Sequence, residues 1–153
     1  MRKTIQAWDA GLQLLIRALG KDPSPRARME CDVCRAISIQ FRSVYHVIRF
    51  YRSRDGLVTG KGSASALFAR TDELKNIINA EIANSESILP VLERDPRIGF
   101  GNNFGQVYDM PMIREKIRQC KFVRDMEIPF LTRHLMEYNH LTFLTPEDRV
   151  PAE

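Results

Sequence analysis

Residues 25–55 read PRARMECDVCRAISIQFRSVYHVIRFYRSRD, and this stretch decides the fold of the chain. Its apolar residues recur at steps of three and four, a spacing that lines one face of an α-helix. The face consists of Val33, Ile37, Phe41, Val44, Ile48 and Tyr51. At a rise of about 1.5 Å per residue, the predicted helix is roughly 45 Å long.

The same helix carries a polar stripe of four arginines, each seven residues from the next. They are Arg28, Arg35, Arg42 and Arg49. Because a seven-residue step drifts only about 20° around an α-helix, the four guanidinium groups are expected to lie along one line. Ile39, Val47 and Phe50 widen the apolar face around most of the remaining circumference. A helix that is apolar so far round is expected to lie at the centre of the fold.

Three further helices are predicted by the same periodicity, and the sequence contains no strand signal. The four expected helices cover approximately residues 4–19, 25–56, 64–94 and 110–141. Long helices with mostly short joins favour packing of neighbours side by side. The sequence therefore predicts an all-α fold, an antiparallel up-and-down four-helix bundle with a long loop between helices 3 and 4.

Prolines and glycines mark the expected interruptions. Pro90 falls inside the third helix and is expected to kink it or to end it near Ile88, and Pro129 is expected to bend the fourth helix. Residues 57–63, LVTGKGS, are expected to form a flexible link. Residues 95–109, DPRIGFGNNFGQVYD, are the longest segment without periodicity and are expected to form the long loop.

Length and composition are those of one ordinary globular domain. A chain of 153 residues with 44% hydrophobic and 27% charged residues can bury its own core. We expect a single helical-bundle domain over residues 1–141 and an extended or disordered tail over 142–153. The net charge of +4, from 23 basic and 19 acidic residues, is too small to imply binding to nucleic acid, so none is expected.

Localisation is constrained by hydropathy and by cysteine usage. No run of 18 apolar residues exists, so no membrane partner is expected. The apolar patch at the N-terminus is interrupted by Asp9, Gln13 and Arg17, which favours a helix of the mature protein over a signal peptide. Three cysteines do not make a disulfide framework, and this number favours a reducing compartment such as the cytoplasm.

Two short motifs are compared with known metal, redox and phosphate sites. Cys31 and Cys34 match C-x-x-C, but the predicted helix has already begun before Cys31, where a redox motif would need the helix N-terminus. Zinc would need four ligands, and Cys120 is the only other cysteine. Residues 59–65, TGKGSAS, lack the spacing of a phosphate loop. We therefore expect core cysteines, no metal site and no cofactor.

The arginine stripe is the best candidate for a functional feature. Arg42 and Arg49 have no carboxylate three or four residues away, so their partner is water, another helix or a ligand. Glu81 is the expected protein partner, because a carboxylate on an apolar helix face needs a cation. The alternative is a binding site for a small anionic or sugar-like molecule, formed by Arg42, His46, Arg49 and Glu81.

Four segments of the chain resemble a known group of proteins. These are WDAGL (residues 8–12), IRFYRSRD (48–55), EIANSESILP (81–90) and ERDPRIGF (93–100). In this order they look like helical regions at the C-terminal end of large bacterial proteins related to glycoside hydrolases. The resemblance implies an accessory helical domain, because in those proteins the catalytic carboxylates lie in an upstream barrel. It also implies that residues 93–100 border the substrate cleft of a neighbouring domain.

The sequence therefore predicts a non-catalytic interaction module, a C-terminal piece of a larger bacterial carbohydrate-active protein. Its expected partner is another domain of the same protein or a second copy of the chain. No nucleophile elbow, metal set or acid–base pair indicates catalytic activity in this chain alone. The expected interaction loop contains Arg97, Phe100, Asn102, Phe104 and Tyr108.

Overall fold

Every regular element is helical in the computed structural model, which describes residues 1–59, 64–99 and 109–142, and the side chains of these residues except 64 and 138–142. The elements are α1 (Arg2–Leu19), α2 (Pro25–Thr59), α3 (Ala64–Arg94), a 3₁₀ turn (Pro96–Gly99), α4 (Met110–Phe122), a π-helical segment (Val123–Glu127) and α5 (Ile128–Thr142). The prediction of an all-α fold is confirmed for these residues. Residues 60–63, 100–108 and 143–153 lie outside the description, and with them the link, most of the predicted long loop and most of the tail.

Local chemistry sets three of the helix ends. Gly20 ends α1 with a φ of 67°, a conformation that favours glycine, and its N–H donates to the carbonyl of Arg17. Ser24 accepts a hydrogen bond from the backbone N–H of Ala27 at 3.3 Å, directly before α2 begins at Pro25. Asp109 caps α4 by accepting from the N–H of Met112 at 2.8 Å. The ends agree with the helix ranges expected from the sequence, 4–19, 25–56 and 110–141, to within two residues at these three points.

Two predicted interruptions lie differently in the structure. α3 continues through Pro90 to Arg94, so an end near Ile88 is wrong. Burial of Ile88 and of the two residues after Pro90 offsets the hydrogen bond that the proline cannot donate. α2 continues to Thr59, and Leu57 is buried in the core, so the predicted link begins too early.

The expected disturbance at Pro129 takes the form of a π-helical segment directly before it. The N–H of Ile128 donates to the carbonyl of Val123, five residues back. Pro129 has no N–H, and its ring would clash with the carbonyl of Asp125 in a regular α-helix. The wider π turn accommodates the ring, so that α4, the π segment and α5 follow one another without a break.

The core is centred on α3, which contacts α2, α4, the π segment and α5, while α1 packs against α2. Leu74, Ile77 and Ile88 of α3 are almost completely buried. Fewer residues of α2 are buried, and three of them are polar; they are Cys31, Asp32, Ala36, Ser38, Ile39, Ser43 and Leu57. The prediction that α2 is the central helix is therefore wrong.

Much of the apolar face predicted for α2 is exposed to solvent. The exposed members are Val33, Val44, Ile48 and Tyr51, together with Val47 from the widened arc. Helical periodicity identifies an apolar face, but α2 meets α3 through a different face. That face carries Asp32, Ser43 and the carbonyl of Ile39, which form hydrogen bonds with Arg94, Glu81 and Asn84 of α3, respectively. The hydrophobic stripe and the buried face are different parts of this helix.

We predict unequal costs for the same substitution on α3 and α2. Ile77→Ala removes a side chain that is 2% exposed and should lower the free energy of unfolding by about 3 kcal/mol. Ile48→Ala on α2 removes one that is 45% exposed and should cost less than about 1 kcal/mol. Urea denaturation of both variants measures the difference. Equal costs would contradict the central position of α3.

Candidate functional site

The four residues predicted to form a ligand site separate into three places. His46 and Glu81 contact each other across α2 and α3. Arg42 instead binds Asp9 of α1, with Nη2 and Oδ1 2.7 Å apart. Arg49 binds Glu73 of α3 at 3.1 Å. The expected pairing of Glu81 with Arg42 or Arg49 is therefore wrong, although both arginines do form ion pairs between helices.

Glu81 is the centre of a buried polar cluster that joins three helices. Its side chain is 8% exposed. From α2, Ser43 donates to Oε1 at 2.6 Å and the Nδ1 atom of His46 lies 2.7 Å from Oε2. From α4, the ammonium group of Lys116 donates to Oε1 of Glu81 and to the hydroxyl of Ser43, the latter at 2.9 Å. Ser85 adds a longer bond from α3 itself at 3.4 Å.

The pKa of Glu81 is set by two opposing effects, burial on one side and hydrogen bonds with a nearby positive charge on the other. Burial alone would raise this pKa, because the charged form loses its hydration. Hydrogen bonds from His46, Lys116 and Ser43, together with the charge of Lys116, outweigh burial and lower the pKa of Glu81 to about 2. Glu81 is therefore ionised at neutral pH and acts as an acceptor only.

An ionised Glu81 also determines the tautomer of His46. Because the carboxylate can only accept, the Nδ1 atom of His46 carries the proton of their hydrogen bond. Among the described residues no hydrogen bond reaches Nε2, so this nitrogen remains available to a ligand. In this tautomer Nε2 carries no proton, so it can accept a hydrogen bond from a ligand at a fixed position.

Neither hydroxyl nor thiol at this cluster is activated as a nucleophile. The hydroxyl of Ser43 is buried, donates to Glu81 and accepts from Lys116. Burial raises the pKa of Cys120, so its thiol stays protonated at neutral pH. The geometry of these groups supports positioning and binding.

A cleft of about 380 Å³ opens beside the cluster, and a second of about 480 Å³ continues it towards α5. Phe50 of α2 and Val123 of the π segment line both clefts, so the two form one channel, which we call the apolar groove. His46, Glu81 and Lys116 line one end of it. Its other lining residues include Val47 and Tyr51 on α2, Leu74, Ile77 and Ile78 on α3, and Phe122, Met126 and Phe130 on the opposite wall.

The walls of the apolar groove expose large hydrophobic side chains to solvent. Met126 is 60% exposed and Phe130 is 70% exposed, and Phe122, Val47 and Tyr51 are each about half exposed. Singly exposed hydrophobic residues are common on protein surfaces, but here several line one channel, which makes the channel a candidate interaction surface. Sequence periodicity assigned Val47 and Tyr51 to the apolar face of α2 and did not predict the groove.

The predicted interaction loop is described at one residue. Arg97 forms two hydrogen bonds to the carboxylate of Asp95, both 2.8 Å long, and its side chain is largely exposed. Phe100, Asn102, Phe104 and Tyr108 lie outside the described residues. Sequence reasoning also missed Ser43 and Lys116, because neither residue lies in a motif and only the helix packing brings them to Glu81.

Cysteines, metal-binding groups and membrane segments were also located. Cys31 is buried, Cys34 and Cys120 are partly buried, and all three are free thiols. Within the described part of the chain, no group of three or more His, Cys, Asp or Glu side chains could hold a metal ion. None of the described helices has the length and hydropathy needed to span a membrane.

No protein-family model matches this chain, and no curated protein or solved structure is significantly similar to it.

We predict that Glu81→Gln destabilises the protein in a pH-dependent way. The pKa of Glu81 is lower in the folded chain than its ordinary 4.5. Its contribution is therefore fully present above about pH 4.5 and is lost as the pH falls towards 2. At pH 7 the variant leaves Lys116 without its counter-charge and should lose on the order of 3 kcal/mol of unfolding free energy.

Urea denaturation from pH 7 down to pH 2.5 measures this effect. Glu86→Gln is the matched control, because Glu86 is an exposed residue of α3 whose nearest cation, Lys121 of α4, is 4.0 Å away. The control should change stability much less. A difference between wild type and Glu81→Gln that is as large at pH 2.5 as at pH 7 would refute the assignment.

Proposed function

We propose that this chain is a non-catalytic helical interaction module whose apolar groove binds an amphipathic α-helix of another domain of the same protein. The observation that supports this best is the set of exposed hydrophobic side chains on the two walls of the groove. Closing the groove over Met126 and Phe130 would remove roughly 1.5 to 3 kcal/mol of unfavourable exposure for each side chain that becomes fully buried.

The proposal includes an antiparallel up-and-down arrangement of the helices. Support comes from the order of the contacts along each pair of helices. Pairs between α2 and α3 are Asp32–Arg94, Ile39–Asn84, Ser43–Glu81 and Arg49–Glu73, with one number rising as the other falls. Between α3 and the last helices, Glu81–Lys116, Asn79–Arg124 and Thr71–Thr132 follow the same trend, and the longer pair Glu86–Lys121, 4.0 Å apart, departs from it.

A helix is the occupant that suits this geometry. α2 and the α4–α5 run both pack on α3 and form the two walls, with α3 as the floor. The wall from Gln119 to Leu131 is about 18 Å long at helical rise, which matches about three turns of a bound helix. An amphipathic helix would insert side chains at i, i+3 or i+4, and i+7. This is how a further helix joins a helical bundle.

The identity of the neighbouring domain is proposed from sequence resemblance. The segments at residues 8–12, 48–55, 81–90 and 93–100 resemble C-terminal helical regions of large bacterial proteins related to glycoside hydrolases. We propose accordingly that the chain is a C-terminal accessory piece of a bacterial carbohydrate-active protein. In that setting the groove would fix the module against the rest of the protein.

A second candidate function is binding of a small sugar-like or anionic ligand at the polar end of the groove. Its support is the cleft of about 380 Å³ lined by His46, Glu81 and Lys116, a size typical of small-molecule sites. Nε2 of His46 and the ammonium of Lys116 would supply the polar contacts. Arg42 and Arg49 bind Asp9 and Glu73 instead, so neither arginine belongs to the proposed ligand site.

Site-specific crosslinking in the full-length gene product tests the first proposal. Benzoyl-phenylalanine placed at position 130, in the groove, should crosslink to a helical peptide from outside this chain. The same group at position 112 should not, because Met112 is exposed on α4 away from the groove. Mass spectrometry of the crosslinked peptides identifies the partner segment.

We further predict that Met126→Glu lowers the yield of that crosslink at least about tenfold, because it would bury an unpaired charge in an apolar contact. Met112→Glu is the matched control and should leave the yield unchanged. A crosslink between two copies of this chain would assign the groove to a homo-oligomer, and no crosslink from position 130 would contradict the proposal.

A further inference from the structure

A basic cleft lies at the other end of α2, about three helical turns from the apolar groove. Its volume is about 370 Å³. It is formed where the end of α1 and the segment after it meet the first turns of α2 and the end of α3. The lining residues are Ile16, Leu19, Gly20, Lys21, Pro23, Arg28, Cys31, Arg35 and Arg94, so four basic side chains converge there.

Two of the four cations are held in place by one buried carboxylate. Asp32 accepts from both Nε and Nη2 of Arg94, at 2.9 and 2.8 Å, and from Nη1 of Arg35 at 2.9 Å. The hydrogen bond from Arg94 lowers the pKa of Asp32, and the bond from Arg35 adds to this against the effect of burial. Asp32 is therefore charged and fixes the orientation of both guanidinium groups.

The two guanidinium groups keep donors for a ligand. A guanidinium has five N–H donors, and Asp32 engages two of those on Arg94 and one on Arg35. Both side chains stay about 40% exposed, so their other N–H groups are accessible. Arg28 and Lys21 are exposed as well, and their side chains form no ion pair with any residue that the structure describes.

The charges in this cleft do not balance. Asp32 compensates one of the four positive charges, Glu93 acts on Arg94 from outside the cleft, and no acidic side chain is among the described lining residues. Ion pairs with Asp32 account for Arg35 and Arg94, and they leave Lys21 and Arg28 without a described carboxylate partner. Like charges held together repel one another, and an anion in the cleft would relieve that repulsion.

We propose that the basic cleft binds a small organic phosphomonoester. Arginine forks match the geometry of phosphate oxygens and bind them through paired hydrogen bonds. Ile16, Leu19 and Pro23 also line the cleft, and they suit a short hydrophobic group attached to the phosphate. The volume of about 370 Å³ accommodates a ligand of this size.

Isothermal titration calorimetry with phenyl phosphate tests the proposal on the intact chain. Arg28→Gln should weaken binding about tenfold, because it removes one charge-assisted contact. Lys21→Gln should act in the same direction. Neither side chain forms a described ion pair, so both variants should fold normally, as thermal melting can check. Arg26→Gln is the matched control, since Arg26 is an exposed residue of α2 outside the cleft.

Two results would overturn the assignment. One is the absence of saturable binding by the wild-type chain at millimolar phenyl phosphate. The other is an equal loss of affinity in Arg26→Gln and Arg28→Gln, which would indicate attraction by surface charge alone. Inorganic phosphate is titrated alongside, and it should bind more weakly than phenyl phosphate. Equal affinity for phenyl phosphate and inorganic phosphate would refute recognition of an organic group and would indicate a site for the free phosphate anion.

Discussion

The arrangement of the helices depends on how the carboxylate of Glu81 is satisfied. An ionised carboxyl group in the interior is costly unless donors and a counter-charge surround it. Ser43 and His46 from α2 and Lys116 from α4 supply them on a side chain of α3. The cluster links α2 and α4 to α3 at the same height along the bundle. Each helix therefore has to be rotated about its axis so that these side chains meet.

The exposed apolar groove follows from the same constraint. Because α2 turns Asp32, Ser43 and His46 towards α3, much of its most hydrophobic stripe cannot also face the core. α3 fills the centre in its place, and α2 and the α4–α5 run become the walls of a channel above it. The polar contact that holds the helices together thus leaves hydrophobic side chains available for another molecule.

Both candidate binding surfaces are built around a buried carboxylate, but they differ in net charge. In each, a buried carboxylate orients basic side chains from neighbouring helices: Glu81 orients His46 and Lys116, and Asp32 orients Arg35 and Arg94. At Glu81 the single ammonium is matched, and the adjoining surface is apolar. At Asp32 the cations outnumber the carboxylate, and the surface is suited to an anion.

The sequence by itself determined the helical class and several of the helix ends. Gly20, Pro25 and Asp109 act on backbone groups within a few residues, so their effects can be predicted without knowledge of the fold. The sequence also predicted that Glu81 needs a cation, because burial of a carboxylate carries a desolvation free energy that a counter-charge has to offset.

Only the tertiary structure decided which cation that is and which face of α2 is buried. Lys116 is 35 residues from Glu81, and Asp9 is 33 residues from Arg42, so both pairings depend on how separate helices rotate and pack. Periodicity describes the pattern within one helix and carries no information about its orientation in the fold. An apolar stripe therefore predicted a core, and the competition between hydrophobic burial and ion pairing turned much of it into a surface.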